Sequence, residues 1–283
     1  MSSVALAAVA LILYLIAAVC YGAALFLRTP AALPLSPGPP AYLPRIGRSL
    51  LWIGIVVQLA SIGSWCVTER VTPFASEYGT RVVAAWAIAM AFAFMDRRDR
   101  WPALGVTALT MTSITLFTAF LHANSPIAGA EILANRMVSA HVIAILASFA
   151  LCFLASGCAV LYLIQHHQLK SHAGGRLFRM LPPLATLDSL AYHAVAYALP
   201  LLTLGLVLGI AQALEEPAGK PVAAWLTDPH TLTAFGAWFC YLAYLTARLL
   251  IGWRGVRLQY LLLVALLVTL ALYTVPTSTH RFI

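Results

Sequence analysis

Histidine side chains are the residues whose type and placement in this sequence could do chemistry. The chain has eight histidines, and four of them fall at or near one predicted surface of a membrane. A neutral imidazole nitrogen is a good ligand for a transition metal. Asp, Glu, Lys and Arg are missing from the middle of every apolar stretch, so the histidines stand out. The four are His122, His141, His230 and His280.

The same surface carries residue types that would suit a haem. Two imidazoles from different helices can hold one haem iron from both faces of the porphyrin, and haem also needs apolar walls and cations for its propionates. Interfacial His and Trp are common belt residues in any membrane protein, so spacing alone leaves a haem site and a plain belt as alternatives. The neighbouring aromatic and cationic residues are Trp65, Trp225, Trp238, Arg70, Arg81, Arg136 and Arg281.

The elements that position these residues must be membrane helices. Hydrophobic residues make up 62% of the 283-residue chain and charged residues only 9%, against about 45–50% and about 25% in soluble domains. This composition excludes a soluble enzyme, a disordered chain and a secreted disulfide scaffold. We therefore predict an all-α polytopic bundle that forms one integral membrane domain over residues 1–283.

Eight apolar stretches approach or exceed the length of about 20 residues that a helix needs to cross a bilayer. The first has no basic leader and no clean cleavage motif, so we interpret it as a retained span. A Pro- and Gly-rich segment, 29–44, is expected to be a non-helical linker, and Asp188 is expected to cap the sixth helix. The stretches are 3–27, 49–68, 80–95, 102–122, 137–165, 189–213, 231–250 and 257–275.

The basic residues predict the orientation of the bundle. Twelve of the 17 Lys and Arg residues fall on one side if both termini face outward, and cytoplasmic loops carry the excess of basic residues. The histidine-rich surface is then extracytoplasmic. The net charge of +8 is thus a topology signal, and we expect no nucleic-acid partner because no soluble module carries a basic face.

Small residues recur at helical spacing in two of the stretches. The fifth carries one every fourth position from Ala140 to Ser156, and the sixth carries Gly205 and Gly209. Small residues at this interval let helix backbones approach closely inside lipid. We interpret both patterns as packing between helices.

Three local sequences resemble the haem-handling cytochrome c assembly superfamily, the group containing CcsA, CcmC and HemX/YpjD-type inner-membrane proteins. The second and third are specific in combination, and the likeness is strongest over 136–283. The three are Ser139-Ala140-His141-Val142 with the later Gln165-His166-His167; Leu181-Pro182-Pro183-Leu184 with Asp188-Ser189-Leu190-Ala191-Tyr192 and Leu201-Leu202-Thr203-Leu204-Gly205; and Gly252-Trp253-Arg254-Gly255.

The resemblance implies a set of haem-binding residues. Family members with the full haem-binding loop carry a tryptophan-rich WWD segment on the outer face, with flanking histidines as axial ligands. By position these ligands would be His141 and His280, and Trp225 and Asp228 echo the loop beside His230. The loop is short here, which favours the HemX/YpjD-type branch. His193 stands where relatives often carry Arg, and either an inner haem ligand or a polar residue at the end of the bundle fits that place.

The sequence therefore predicts a multi-pass protein of the bacterial inner membrane that binds haem and supports cytochrome c maturation or haem homeostasis. Expected partners are haem, the lipid bilayer and other maturation components. No nucleophile–base pair or carboxylate dyad occurs in the spans, so we expect no enzymatic activity of its own. Two alternatives stay open: a haem-free assembly scaffold, and a small-molecule transporter, which the lack of charge in mid-span disfavours.

Overall fold

The structure is a computed structural model that describes residues 2–27, 42–95, 101–124, 136–171, 181–215 and 227–271. Within these ranges the chain forms eight α-helices and a short 3₁₀ turn at Pro73–Ala75. The helices are α1 (Ser3–Leu27), α2 (Tyr42–Glu69), α3 (Glu77–Met95), α4 (Pro102–Leu121), α5 (Arg136–Lys170), α6 (Leu184–Glu215), α7 (Pro229–Leu249) and α8 (Val256–Ala271).

Each predicted apolar stretch coincides with one of these helices, so the all-α membrane bundle is confirmed. Helices α1 to α6 are long and apolar enough to cross a membrane. Helix α7 has the length but is less apolar, and α8 has 16 described residues, fewer than the ~20 that a span needs. The number of eight spans and the outward-facing termini stay predictions.

Helix α5 lies at the centre of the bundle. It packs most extensively against α6 and also contacts α3, α4 and α8. Successive helices run in opposite directions, so α5 begins and α6 ends at one end of the bundle, called here the His141 end. At the opposite end, called here the Asp188 end, α6 begins and α7 ends.

The small-residue pattern of α5 is confirmed as a packing surface over most of its length. Ala144, Ser148, Cys152 and Ser156 are buried, whereas Ala140 is exposed. The Ser148 hydroxyl donates to the carbonyl oxygen of Ala198 in α6 at 3.0 Å. This bond needs a close approach of the two backbones, which the small residues allow.

Two predictions about helix starts are wrong, and proline explains both. Helix α2 begins at Tyr42, inside the segment expected to be non-helical, with Pro44 in its first turn. Helix α6 begins at Leu184, directly after Pro182 and Pro183, so Asp188 lies one turn inside the helix and does not cap it. A first turn tolerates proline because its N–H groups have no partner within the helix.

Asp188 instead joins three helices. Its Oδ2 atom pairs with Arg248 Nη2 of α7 at 2.8 Å, and its Oδ1 atom accepts a hydrogen bond from Gln259 Nε2 of α8 at 3.0 Å. The Arg248 guanidinium also lies 4.6 Å from the ring centre of Tyr192. The side chains of the ion pair are 15% and 14% exposed, so this group of bonds ties α6, α7 and α8 together in a mostly buried setting.

A second buried group of bonds joins α1, α2 and α3. The Tyr14 hydroxyl donates to Gln58 Oε1 at 2.7 Å, and Gln58 Nε2 donates to the carbonyl oxygen of Val82 at 2.9 Å. Tyr14 and Gln58 are fully buried. These bonds fix how the first two helices lie against the rest of the bundle.

The turn between α7 and α8 depends on two glycines. Gly252 and Gly255 have φ angles of +73° and +82°, a region in which residues with a Cβ atom are rarely found. The N–H of Trp253 donates to the carbonyl oxygen of Ala247 at 2.9 Å and closes the end of α7. The two glycines of the Gly-Trp-Arg-Gly sequence are therefore required by the backbone conformation of this turn.

Candidate functional site

His141 lies in the second turn of α5 and is fixed by the backbone of α6. Its Nδ1 atom is 2.6 Å from the carbonyl oxygen of Gly205. Because a carbonyl oxygen only accepts hydrogen bonds, Nδ1 must carry the proton and donate it. In the neutral ring Nε2 then holds the lone pair, and this is the form in which histidine binds a metal.

The ring of His141 lies against Gly209, one turn beyond Gly205. A Cβ atom at Gly209 would be 2.7 Å from Cε1 and 2.9 Å from Nδ1 of His141. A Cβ atom at Gly205 would be 2.5 Å from Cδ1 of Ile145. The two glycines therefore pack against α5 as predicted, and one of them also makes room for an imidazole.

Asp228 caps the start of α7 and holds the backbone of His230. Its Oδ2 atom accepts a hydrogen bond from the N–H of His230 at 3.1 Å. Asp228 is only 3% exposed, and a side-chain cap of this kind contributes about 1 kcal/mol. The Asp-Pro pair that echoes the family's tryptophan loop is thus the start signal of a helix, and His230 is the second residue of that helix.

The register of α6 and α7 brings His230 to the level of His141. Trp238 Nε1 of α7 donates to Thr203 Oγ1 of α6 at 2.9 Å. At a rise of about 1.5 Å per residue, Gly209 lies about 9 Å beyond Thr203 and His230 about 12 Å beyond Trp238 in the same direction. The structure therefore gathers His141, Asp228 and His230 at one end of α5, α6 and α7.

The other two residues predicted for this site, Trp225 and His280, lie outside the described residues. Their part in the site stays a prediction. Among the other residues predicted near it, Trp65 is buried in α2, and Arg136 is exposed at the first residue of α5.

A separate polar group forms where α3 begins and α4 ends. Glu77 Oε2 is 3.1 Å from Arg81 Nη2 and 3.2 Å from His122 Nε2. His122 Nδ1 is 3.0 Å from the carbonyl oxygen of Thr118 and donates to it. Arg81, expected to be a cation for a propionate, is thus bound to a carboxylate on its own helix. This group lies on α3 and α4, whereas His141 packs on α6.

His193 lies near the Asp188 end, on the surface of α6. Its side chain is exposed, and Nδ1 donates to the carbonyl oxygen of Ser189 on the same helix at 2.7 Å. His193 was interpreted either as an inner haem ligand or as a polar residue at the end of the bundle. Its hydrogen bond to Ser189 fits the second interpretation.

The histidines at the His141 end could serve as ligands of a haem iron. The part of the chain that the structure describes holds no group of three or more His, Cys, Asp or Glu residues placed to bind a metal. Haem brings four nitrogen ligands of its own, so one or two imidazoles complete its iron. His141 presents a nitrogen in the required protonation form.

Sequence reasoning did not identify the backbone around His141. The carbonyl of Gly205 carries no sequence signal, because every residue has a backbone carbonyl. Gly209 was identified only as a packing residue. Its contact with His141 could have been found by noting that the start of α5 and the end of α6 share one end of the bundle.

Comparisons with known proteins agree on one family. The sequence pattern of the cytochrome c assembly protein family matches residues 76–280. The chain is 24% identical over 235 residues to the cytochrome c biogenesis protein CcsA of Guillardia theta, covering 76% of this chain and 77% of that protein. It is 26% identical over 246 residues to CcsA of Prochlorococcus marinus strain MIT 9215, covering 78% and 77%.

A shorter and closer match involves CcsA of Thermosynechococcus vestitus, 40% identical over 70 residues, or 25% of this chain and 21% of that protein. The family match spans α3 to α8 and includes His141, Gly209, Asp228 and His230. With most of its length matched, and with the all-helical bundle that the resemblance implied, the chain belongs to the cytochrome c assembly protein family.

Proposed function

We propose that this protein is an integral membrane haem-handling protein that supports cytochrome c maturation or haem homeostasis. It binds haem at the extracytoplasmic face through two histidines, His141 and, by family position, His280. The family match and the CcsA relatives support the role in maturation. The relatives come from a plastid-bearing alga and from cyanobacteria, and we place this chain in a bacterial inner membrane.

The observation that carries the proposal is the bond from His141 Nδ1 to the Gly205 carbonyl. In the neutral ring it leaves the lone pair on Nε2, and it ties the ring to α6 so that this nitrogen is held in place. His230 and Asp228 lie at the same end of the bundle, and Trp225 would provide an apolar wall. When bound, haem supplies any redox chemistry itself, and the chain provides ligation and orientation. We propose no enzymatic activity.

The test is a visible spectrum of the purified protein in mild detergent, after haemin has been added. We expect a Soret band of a six-coordinate bis-histidine haem in the wild type. His141→Ala and His280→Ala should each lose the six-coordinate spectrum, whereas His193→Ala, an exposed histidine of α6, serves as the matched control. A wild type that develops no Soret band, or variants that match it, would refute the haem proposal.

A haem-free assembly scaffold is the second candidate, because the tryptophan loop is short. It predicts that the chain supports cytochrome c maturation in cells even after both histidines are replaced. A complementation assay with the double variant His141→Ala/His280→Ala separates the two. A transporter is disfavoured, since the described mid-span segments hold no charged side chain.

A further inference from the structure

We propose that Gly209 is a positioning residue for His141. Because Gly209 has no side chain, the imidazole fits against α6, with Nδ1 hydrogen-bonded to the Gly205 carbonyl and Nε2 facing the ligand. The consequence for haem rests on the proposed function. The effect on the ring itself rests only on the packing of α5 against α6.

Gly205 and Gly209 act on the same ring from one face of α6. Residues four apart in an α-helix lie above one another on the same face. The carbonyl of Gly205 is 2.6 Å from Nδ1, and a Cβ atom at Gly209 would be 2.9 Å from that same nitrogen. The carbonyl of Gly205 therefore accepts the hydrogen bond from Nδ1, and Gly209 leaves the space that Nδ1 occupies.

The hydrogen bond from His141 to Gly205 therefore depends on the space that Gly209 leaves for the ring. Contacts of 2.7 and 2.9 Å from a Cβ atom are shorter than real Cβ contacts, so alanine at 209 must displace the ring of His141. The displaced atoms include Nδ1, and a hydrogen bond weakens steeply when its distance and angle depart from the optimum. Once Nδ1 is released, the proton can move to Nε2, and the nitrogen that faces the ligand loses its lone pair.

Other glycines of the chain provide matched controls. A Cβ atom at Gly54 in α2 would be 2.7 Å from Cε1 of the Tyr14 ring in α1, so alanine there reports an equally close clash with a ring on a different pair of helices. A Cβ atom at Gly63 in α2 meets nothing within 4 Å. Gly63→Ala therefore reports the gain of about 1 kcal/mol from replacing a helical glycine by alanine.

The first experiment needs no haem. Unfolding by sodium dodecyl sulfate in mild detergent compares wild type, Gly209→Ala, His141→Ala and the double variant. We expect Gly209→Ala to lower the unfolding midpoint in the wild-type background. When His141 is alanine, the imidazole that clashes with the new Cβ atom is absent, so we expect the midpoint to fall by less than half as much. Equal effects in both backgrounds would overturn the proposal.

Nitrogen NMR of protein labelled at histidine reads the tautomer directly. The wild type should show His141 protonated at Nδ1, assigned by the signal that disappears in His141→Ala. Gly209→Ala should shift that signal toward a mixture of tautomers, whereas Gly63→Ala and Gly54→Ala should leave it at the wild-type position. An unchanged tautomer in Gly209→Ala would overturn the proposal.

Haemin titration tests the consequence for the ligand. Loss of a group that orients a metal-binding histidine costs about tenfold to a hundredfold in affinity, and we expect Gly209→Ala to weaken haemin binding by such a factor. Added free imidazole should restore part of the six-coordinate spectrum. If wild type and His141→Ala bind haemin equally, the proposed function fails, while the unfolding and NMR experiments still decide the role of Gly209.

Discussion

Removing the charge of Asp188 should destabilise the protein strongly, because the carboxylate holds α6, α7 and α8 together. Asp188→Asn keeps the shape and an oxygen that can accept from Gln259, but it leaves the Arg248 guanidinium without its counter-ion. Breaking a buried ion pair from one side costs about 3–5 kcal/mol. The Arg248 side chain is 14% exposed and lies on the Tyr192 ring, so we expect the lower end, about 3 kcal/mol.

The measurement is equilibrium unfolding in mixed micelles, followed by tryptophan fluorescence. Arg248→Met should cost a similar amount, and the double variant Asp188→Asn/Arg248→Met should be more stable than either single variant, since no charge is then buried alone. His193→Ala, which alters an exposed side chain of the same helix, should stay within about 0.5 kcal/mol of wild type.

Two results would refute this reasoning. One is an Asp188→Asn variant as stable as the His193→Ala control. The other is a double variant whose loss equals the sum of the two single losses, since strict additivity means that the two side chains do not interact.

Three further predictions concern other parts of the bundle. Tyr14→Phe removes the hydroxyl that bonds Gln58 at 2.7 Å and should cost about 0.6 kcal/mol, the average for such bonds inside membranes, in the same unfolding assay. Gly54→Ala would place a Cβ atom 2.7 Å from the Tyr14 ring and should cost about 1–3 kcal/mol, a loss that Gly63→Ala should not show. Asp228→Ala should cost about 1 kcal/mol through loss of the α7 cap, and Asp228→Asn, which can still cap, should recover most of it; equal losses would contradict the capping role.

The fold could be predicted because lipid imposes simple rules on sequence. Apolar length predicted the approximate bounds of the helices in the described part of the chain, and the small residues at 144, 148, 152 and 156 predicted a buried face of α5. Helix starts were less predictable. Prolines at 44, 182 and 183 act by removing N–H groups, and the sequence pattern alone does not tell whether such a proline ends a loop or begins a helix.

The side chains of the candidate site could be predicted from the sequence, but the contacts that hold them in place could not. His141, Asp228 and His230 were selected from residue type and family position, and the structure places them at one end of three helices. The bond to the Gly205 carbonyl depends on the register between α5 and α6, which is set by packing over their whole length. The role of Asp188 was missed for the same reason, because Arg248 and Gln259 are distant in sequence.

The length of α5 bears on where the proposed haem site lies relative to the membrane. Its 35 residues span about 52 Å, whereas the hydrocarbon core of a bilayer is about 30 Å thick. If the excess is shared equally, each end of α5 extends about 11 Å beyond the hydrocarbon. His141 is five residues, or about 7.5 Å, from the start of the helix. With that sharing, its imidazole would stand in the headgroup layer, where a flat ligand could rest partly in lipid and still be reached by a protein dissolved in the adjoining water.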